Sequence, residues 1–326
     1  MPVTRRWTPS RIGIALLAAA AMLPPAGCGG DDEGTPALEL DREPGEGGTL
    51  VWGVADRVGG VDPLEATTRA QQLVSRQIHE PLVDSLAGPF GDPRRLPGLA
   101  LRLRPRGDGT IWNVSLRRGV RFQDGSPLNA GAVLANAERW RTTAAGGELL
   151  PDLVAADAPR PDLVRLFLSA PDPDLAERLA SPRLGIVSPQ ALRPRTGTAA
   201  TVRSVFATGS GPFELRERTG EELLLAPYLA WWGTPKGLGP ALDQLRFRVE
   251  PEAATRLDDL ASGDTQLADE LGPAEADTAR SDPLLSVLRG TGGAWLALER
   301  SVRGVDSGRE IPSLAGAWLT TVTVVD

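Results

Sequence analysis

The sequence predicts an α/β protein whose folded body holds two structural domains. Segments rich in β-forming residues alternate along the chain with segments of helical periodicity, and this alternation is typical of α/β or α+β folds. The body begins at Gly47, and the about 280 residues that follow are enough for two domains of ordinary size. Glycine, proline and aspartate separate the segments, as is usual at turns.

The first predicted elements are a strand and a helix. Residues 48–53 are rich in β-formers and are bounded by glycine, which predicts a strand. A loop over residues 56–63 follows it. Leu73 and Ile78 are apolar positions within a polar segment, so we expect a helix from about residue 67 to about residue 80.

The middle of the chain predicts a pair of strands, a capped helix and a further strand. Residues 111–116 and 120–122 have the composition of a hairpin-like pair between two Asp-Gly turns. Asn129 is placed to cap a helix over residues 130–139. Residues 163–168 alternate in polarity as a half-buried strand does.

The last third predicts four more strands and one helix. Residues 211–215, 222–226 and 245–249 have the composition of strands and are separated by turn residues. Residues 252–261 have helical spacing. A short turn then leads into a strand near residues 266–268, which restores the alternation of strand and helix.

Residues 1–28 have the pattern of a lipoprotein signal peptide. Basic residues precede an uninterrupted apolar stretch over residues 12–23, which is shorter than the about 20 residues that a membrane span needs. Small residues then lead to Cys28, in an arrangement similar to a bacterial lipobox. We expect Cys28 to carry lipid, so that the exported protein is anchored in the lipid bilayer at the outer face of the cell membrane. The alternative is an ordinary signal peptide with an incidental cysteine.

Residues 29–46 are predicted to form an acidic flexible tether. They are rich in aspartate, glutamate, glycine and proline and show no apolar periodicity. A flexible chain of this length has a root-mean-square span of about 25 Å, which lifts a folded body off a lipid surface. The alternative for this segment is a metal-binding acidic loop.

The composition argues against several classes of enzyme and cofactor. Cys28 is the single cysteine, so the chain cannot form an internal disulfide. His79 is the single histidine, which excludes a zinc site of three or four His and Cys ligands. We find no nucleophile-elbow, phosphate-loop or dinucleotide-binding motif. We therefore expect no catalytic residues, no metal and no cofactor.

The charge balance argues against nucleic acid as a partner. The formal net charge is −7, whereas nucleic-acid-binding proteins show a basic excess or a basic stripe. The abundance of arginine over lysine, together with abundant alanine, glycine and proline, indicates a GC-rich genome and is not taken as recognition chemistry.

Several short motifs follow one another along the body of the chain. They are the segments 47–50 (GGTL), 61–63 (VDP), 78–83 (IHEPLV), 112–128 (WNVSLRRGVRFQDGSPL), 209–213 (GSGPF), 231–233 (WWG) and 253–257 (AATRL) followed by 263–264 (GD). Their order resembles family 5 extracellular solute-binding proteins, the dipeptide, oligopeptide and nickel receptors of ABC importers. The most distinctive is the segment 112–128, which resembles the family's F-x-L-R-x-G-V-x-F-x-D-G-x-P.

This resemblance implies a periplasmic-binding-protein-like (class II) fold, α/β in class. Residues 47–80 plus 195–326 are then domain one, and residues 81–194 are an inserted domain two. Family members are longer and continue into a third domain that forms the opposite wall of the cleft. Here the first lobe is expected with its inserted domain and the opposite lobe missing. We expect residues 294–298 and 317–325 to join the sheet of domain one.

The resemblance also implies a function. It is non-covalent binding of a small peptide or similar polar solute, for delivery to an ABC permease in the membrane. Because one lobe buries less of a ligand than a closed pocket, we expect weak or absent peptide binding by this chain alone. The candidate ligand-binding residues lie at the ends of predicted strands, where loops carry function on a rigid scaffold. They are Asp56, Arg57, Gly209, Ser210, Trp231 and Trp232.

Other readings of the same residues remain open. Asp56 and Arg57 are suited to an ammonium and a carboxylate respectively, but they also fit a solvated loop with surface charges. The segment 112–128 and the two tryptophans fit a purely structural role, since large aromatic rings commonly fill a seam between elements. The whole chain fits two alternatives, a surface protein-interaction module or a degenerate paralogue with no tight ligand.

Overall fold

The computed structural model describes most of the body of the chain. The signal peptide, Cys28 and the tether lie outside the described residues, as does the start of the predicted return to domain one at residue 195. The part described falls within the compact unit Pro44–Asp326. It comprises residues 47–87, 93–193, 207–236, 240, 242–289, 295–299 and 323–324.

An eight-stranded mixed sheet is the larger of the two main sheets. Its strand order is β14-β12-β13-β11-β1-β10-β9-β8, and β1 runs parallel to both of its neighbours, whereas the other pairs are antiparallel. The strands are β1 (Thr49–Val54), β8 (Phe213–Arg218), β9 (Glu222–Pro227), β10 (Gln244–Val249), β11 (Leu267–Leu271), β12 (Leu285–Arg289), β13 (Trp295–Glu299) and β14 (Thr323–Val324).

Helix α1 (Arg69–Ile78) packs against this sheet and contacts β8. It begins with a capping box in which Thr68 and Gln71 satisfy each other's backbone donors, a common start signal for a helix. Its Leu73, Val74 and Ile78 share one core with the inward-facing side chains of β1, β8, β9 and β10. Within that core Trp52 stacks on Phe247, with ring centroids 5.6 Å apart.

Two further helices form a separate core with β11 and β12. They are α5 (Ala253–Ser262), which ends at the left-handed Gly263, and α6 (Pro273–Ser281), which begins with proline in its first turn. Leu257 and Leu260 of α5 and Ala276 of α6 are buried there against Leu271 and other apolar side chains.

A four-stranded antiparallel sheet carries the second large core. Its strand order is β4-β5-β7-β6, and β5 and β7 alternate half-buried and buried residues along their whole length. The buried residues face α2, whose Val133 and Trp140 fill the centre of the core. The elements are β4 (Ala100–Arg106), β5 (Ile111–Leu116), α2 (Ala130–Thr142), β6 (Leu153–Arg160) and β7 (Leu163–Leu168).

Short elements complete the described structure. A two-stranded sheet precedes β4, and two short helices follow α2 and β7 respectively. No helix in the described ranges is long and apolar enough to cross a membrane. The short elements are β2 (Val83–Ala87), β3 (Pro93–Pro97), α3 (Ala144–Leu149), α4 (Leu175–Arg178) and two 3₁₀ turns, Pro182–Leu184 and Thr234–Lys236.

The predicted hairpin of residues 111–116 with 120–122 is wrong. β5 pairs with β4 on one side and β7 on the other. Residues 120–122 enter a tight turn instead, because the Phe122 N–H donates to Ser126 O at 2.9 Å and Arg121 forms only an isolated bridge to Pro127. Gly125 supplies the positive φ that this turn requires.

The division into domains 47–80 plus 195–326 and 81–194 stays a prediction. The separate sheets and cores support it, but the loop before α1 also reaches the second core. Leu64 is buried in that core, and Asp62 forms an ion pair with Arg139 of α2 at 2.5 Å. The predicted strand over 294–298 corresponds to β13, and only Thr323 and Val324 of the segment 317–325 lie within the described residues.

Candidate functional site

The carboxyl ends of β10, β1 and β11 meet at one edge of the large sheet. We call residues 55–57, 249–251 and 269–270, which lie there, the carboxyl edge. The strand order changes direction at β1, since β10 lies on one side of it and β11 on the other, and both are parallel to it. In open α/β sheets, ligands bind outside the carboxyl ends of strands at such a switch point.

Arg256 of α5 holds the backbone of the carboxyl edge in place. It is buried, and its guanidinium donates to the carbonyl oxygens of Glu250 at 2.6 Å, Pro251 at 2.8 Å, Asp269 at 2.9 Å and Glu270 at 2.9 Å. Two of these acceptors follow β10 and the other two belong to β11. One side chain therefore positions the backbone at the ends of both strands. Burial lowers the pKa of Arg256, and the nearby carboxylates, Glu270 first, oppose that shift.

Asp269 links the carboxyl edge to α1. Its buried carboxylate accepts from Nε of Arg69 at 2.7 Å and from the backbone N–H of Glu270 at 2.8 Å. The ion pair with Arg69 offsets the negative charge of Asp269, and the hydrogen bond from the N–H of Glu270 orients the backbone at that residue. A buried carboxylate of this kind is stable only when it is paired and hydrogen-bonded.

Glu270 is the unusual residue of the carboxyl edge. Its φ is +54°, and it is the one non-glycine residue in the left-handed region among those described. Its Oε2 is buried and accepts no hydrogen bond from any described residue. Burial raises the pKa of Glu270, the negative charges of Asp269 and Asp56 raise it further, and Arg69 and Arg256 only partly compensate. The site is therefore electrostatically short of positive charge.

Asp56 and Arg57 both lie at the carboxyl edge but do not act as a pair. Asp56 contributes to the negative potential around Glu270. Arg57 is exposed and turns toward the β8–β9 connection, where its Nη1 donates to Gly220 O at 3.1 Å and its Nη2 lies 4.0 Å from Oε1 of Glu221. An exposed contact of this length contributes little to stability, so Arg57 can reorient at small cost.

Three of the other candidates surround Glu80, at the end of α1. The Trp232 indole donates to both carboxylate oxygens of Glu80, at 2.9 and 3.0 Å, and the Ser210 hydroxyl donates to Oε2 at 2.9 Å. Arg117 lies over the Trp232 ring at 3.8 Å, and the buried Trp231 packs against the same ring. We call these five residues the Glu80 cluster.

The Glu80 cluster has a strongly perturbed carboxyl group. Burial raises the pKa of Glu80 to about 7, and the charge of Asp84 adds to that effect. The hydrogen bonds from Ser210 and Trp232 act in the opposite direction but are outweighed. Neither Ser210 nor Trp231 has appreciable solvent exposure. The arrangement is suited to joining elements of the fold, and it leaves little of these side chains for a solute.

Gly209 sits where the turn before β8 crosses the end of α1. Its N–H donates to Oε1 of Gln123 at 3.1 Å, and its carbonyl accepts from the backbone N–H of Gln123 at 2.9 Å. A Cβ at this position would lie 2.1 Å from Ile78 O, which only glycine avoids. Nε2 of Gln123 donates to Phe213 O at 2.7 Å and, at 3.3 Å, to Ile78 O and Gly211 O.

The six predicted ligand-binding residues thus fall into two groups. Asp56 and Arg57 lie at the carboxyl edge, whereas Gly209, Ser210, Trp231 and Trp232 lie in or beside the Glu80 cluster. The structure brings the members of the second group together, whereas in the first group Arg57 turns away from Asp56. Ligand contact by all six stays a prediction, and the second group is held by contacts within the fold.

Sequence reasoning missed four residues that organise these two places. Glu80 and Gln123 lie inside motifs noted in the sequence. The spacing of these motifs did not indicate which residues the two side chains contact. Asp269 and Glu270 had a usable signal, since two carboxylates directly follow the predicted strand near residues 266–268. Paired carboxylates after a buried strand in an α/β sheet predict a polar site at its carboxyl edge.

A groove lies beside β8, and the described residues show no cluster suited to a metal ion. An open groove of about 480 Å³ runs beside the edge strand β8 and is separate from the carboxyl edge. Across the described ranges, no group of three or more His, Cys, Asp or Glu residues is arranged to hold a metal ion. The groove is lined by Gln123, Asp124, Ala207, Thr208, Glu214, Leu215, Arg216, Glu217 and Arg218.

Comparison with known proteins gives a family match over most of the body. The model of the bacterial extracellular solute-binding proteins, family 5 Middle, matches residues 96–303. Among curated proteins, the chain is 28% identical over 225 residues to the glutathione-binding protein GsiB of Escherichia coli K12. That similarity covers 67% of this chain and 41% of GsiB. The chain therefore spans less than half the length of this relative.

Solved structures of the same kind show the same fold. NikA from Brucella suis in complex with Fe(III)-EDTA aligns with a TM-score of 0.60 at 25% identity, over 75% of this chain and 51% of NikA. The periplasmic binding protein DppA from Helicobacter pylori, in complex with the peptide STSA, aligns with a TM-score of 0.62 at 20% identity, over 75% and 52%. At this identity the second likeness concerns the fold alone.

Proposed function

Because the chain belongs to the bacterial extracellular solute-binding proteins of family 5, we propose that it is the solute-binding component of an ABC-type importer. Its solute is a small peptide or a similar polar molecule with a positively charged group. Binding is non-covalent, and the partner that receives the solute is an ABC permease in the membrane. Relatives are named for binding glutathione, or were solved with a peptide, which supports a solute of this size and polarity.

The observation that carries this proposal is the state of Glu270 at the carboxyl edge. A carboxylate with a buried oxygen that accepts no hydrogen bond from the described residues, beside two more carboxylates, favours a cationic ligand. A left-handed glutamate costs about 1–2 kcal/mol relative to an ordinary conformation. Such strain is commonly retained where it positions a functional side chain. An ammonium group placed between Glu270 and Asp56 would supply the missing positive charge.

The neighbouring backbone suits the rest of a short peptide. The chain after β10 and the end of β11 present main-chain groups at the carboxyl edge, and Arg256 keeps them in a fixed geometry. Arg57 lies on the same loop as Asp56 and can turn toward a solute carboxylate at the cost of two exposed contacts, with Gly220 O and with Glu221. A single wall of this kind encloses a ligand incompletely, so we expect weak affinity for the chain alone.

The proposal is tested by titrating short peptides against the full chain by calorimetry. We expect Glu270→Gln to weaken binding about tenfold or more, because a charge-assisted hydrogen bond contributes about 1.5–3 kcal/mol. Acetylation of the peptide amino group should weaken binding to the wild type to a similar degree and should make it insensitive to Glu270→Gln. Arg57→Ala should weaken binding of peptides with a free carboxylate.

Glu217→Gln is the matched control, since Glu217 is exposed and lies on β8 away from the carboxyl edge. It should leave the affinity unchanged. Saturable binding that is indifferent to Glu270, Asp56 and Arg57 would remove the carboxyl edge from the site. No binding of any peptide by the folded protein would favour the interaction-module or degenerate-paralogue alternatives.

We also propose that Cys28 anchors the mature protein through lipid. The small-residue junction before Cys28 and the acidic segment over residues 29–46 support this assignment. Stable attachment requires two or more acyl chains, as one chain gives only marginal binding. Cys28→Ala should release the exported protein from the membrane fraction or leave it unprocessed. Unchanged fractionation of this variant would contradict the anchor.

A further inference from the structure

The outer face of the four-stranded sheet carries a concentration of arginine. On β5 and β7 every second residue points into the core, so the residues between them lie on the opposite face. The strand register aligns this outer face into three rows across β4, β5, β7 and β6. The rows are Arg102–Ser115–Leu163–Arg160, Arg104–Asn113–Arg165–Asp157 and Arg106–Ile111–Phe167–Ala155. We call these residues the basic sheet face.

The charges of the basic sheet face are poorly balanced. Arg165 is paired with Asp157, and Arg160 lies 3.4 Å from Asp162. The three arginines of β4 are exposed, and none has an ion-pair partner within the described part of the chain. Alternate residues of a strand are about 7 Å apart, so the three arginines place positive charges at regular intervals along β4. This occurs on a chain whose formal net charge is −7.

Apolar side chains lie between the charges. Ile111, Leu163 and Phe167 are half-buried on the same face, and the Arg165 guanidinium lies 5.6 Å from the Phe167 ring. Arginine carries an apolar stem and a charged head, so a row of arginines beside apolar residues can cover both kinds of surface. This mixture of cationic and apolar side chains is typical of surfaces that lie on a lipid headgroup layer.

We propose that the basic sheet face binds the surface of a bilayer that contains anionic phospholipid. The guanidinium groups contact headgroup phosphates, and the apolar side chains between them enter the interfacial layer. This inference rests on the proposed lipid anchor, because an anchored protein always has a bilayer within reach of its tether. One acyl chain together with a basic patch already gives firmer attachment than one chain alone. An acidic protein partner is the alternative occupant.

The test measures co-sedimentation of residues 29–326, which lack the lipid-bearing Cys28, with phospholipid vesicles. Removing residues 1–28 leaves the compact unit Pro44–Asp326 whole. One set of vesicles contains equal parts of phosphatidylglycerol and phosphatidylcholine, and the other contains phosphatidylcholine alone. The test variant is Arg102→Gln/Arg104→Gln/Arg106→Gln. The control variant, Arg141→Gln/Arg216→Gln/Arg280→Gln, makes the same change of net charge at residues that pair with neighbouring carboxylates.

We expect the wild type and the control variant to bind the anionic vesicles and to release them in high salt, which screens such contacts. The test variant should lose affinity on the order of a hundredfold, since each arginine near an anionic surface contributes substantially. Equal binding to both kinds of vesicle, or equal loss in both variants, would overturn the proposal. Binding to polyglutamate with no binding to vesicles would overturn it in favour of an acidic protein partner.

The same preparations are titrated with short peptides. Retained peptide binding with no vesicle binding refutes the membrane surface alone and leaves the proposed receptor intact. Vesicle binding without peptide binding supports the membrane surface and counts against the receptor. Thermal melting of both triple variants checks that the fold is preserved, and because every substituted residue is at least partly exposed, we expect melting close to that of the wild type.

Discussion

Glu80 connects three separate segments of the chain through one carboxylate. It follows α1, and it accepts hydrogen bonds from Ser210, which precedes β8, and from Trp232, which follows β9. Arg117, which follows β5, stacks on the same tryptophan. A carboxyl group with a pKa of about 7 in such a place is half protonated near neutral pH. The stability of the fold should therefore respond to pH in that range.

We predict that the free energy of unfolding of Glu80→Gln depends less on pH than that of the wild type between pH 4.5 and about 7. The pKa of Glu80 is raised from 4.5 to about 7 in the folded protein. The native state therefore binds more protons than the unfolded state between these values, and wild-type stability falls as pH rises through this window. At 1.36 kcal/mol per pH unit the total loss is about 3 kcal/mol, complete above about pH 7.

Urea denaturation at several pH values between 4 and 8 measures this effect. Glu80→Gln cannot ionise, so its curve should lack the slope. Its amide keeps one oxygen that can accept and replaces the other by an NH2 group that cannot, so we expect a further loss of stability that is the same at every pH. Glu217→Gln, at an exposed position, should follow the wild type. Parallel curves for the wild type and Glu80→Gln would show that Glu80 titrates at its ordinary value.

Gly209→Ala should destabilise the fold by about 1–3 kcal/mol or more, the usual cost of overpacking. The added methyl would lie 2.1 Å from Ile78 O and 2.7 Å from a ring atom of His79, so the backbone must shift. Gly147→Ala is the matched control. A Cβ there meets nothing within 4 Å, and alanine is the better helix former. Thermal melting compares the two, and equal stability would contradict the close crossing of the turn and α1.

At the level of elements, the segment 112–128 acts as a connection between the two large cores. Gln123 is its central residue, because its side chain bonds to backbone atoms of four residues that belong to α1, to the turn before β8 and to the start of β8. The Tyr228 hydroxyl adds a bond to Phe122 O at 2.9 Å. The distinctive pattern of this segment is thus explained by how it joins the sheets, without a ligand contact.

Gln123→Ala should lower the free energy of unfolding by about 2–3 kcal/mol. It leaves the buried Gly209 N–H and the carbonyls around it without their partner, and an unsatisfied buried group costs about 1–3 kcal/mol. Gln190→Ala, at an exposed position, should have little effect. Chemical denaturation of both variants makes the comparison. A loss no greater than that of the control would refute the connecting role of Gln123.

Elements with a clear local period were predictable from sequence, and elements defined by distant partners were not. β5, β7 and α2 follow from alternation and from the Asn129 cap, which does accept from Ala132 N. β4 was missed because it contains Pro105 and three arginines, and it is a strand only through pairing with β5. Residues 120–122 were wrongly predicted as one strand of a hairpin. Composition does not reveal the hydrogen bond from the Phe122 N–H to Ser126 O, which closes a turn there.

The candidate site was predictable only in part. The end of β1 identified Asp56 and Arg57, because a loop after a strand is a common place for function. Glu270 also follows a predicted strand and was overlooked, whereas its left-handed backbone could not be predicted, since it depends on Arg256 and on the pairing of β11 with its neighbours. Ser210 and Trp232 were predicted as ligand contacts, and this stays a prediction. In the structure both donate to Glu80, a partner that the sequence did not indicate.

At the level of the whole molecule, one sheet edge and one outer sheet face carry the proposed functions. The carboxyl edge belongs to the eight-stranded sheet and is the proposed solute site, whereas the basic sheet face belongs to the four-stranded sheet and is the proposed membrane contact. The chain spans 41% of its relative GsiB, so the activity of a complete receptor is a proposal for this chain. For this chain we propose only that the carboxyl edge binds a cationic solute.

Hydrogen–deuterium exchange of the full chain, with and without a saturating short peptide, tests that claim most directly. Amide exchange reports where a ligand stabilises the backbone, whatever the affinity. We predict slower exchange at residues 54–57 and 268–271, with exchange in the Glu80 cluster and the segment 112–128 unchanged. Protection confined to residues 209–233, or no change at a peptide concentration that saturates calorimetric binding, would contradict the assignment of the carboxyl edge as the binding wall.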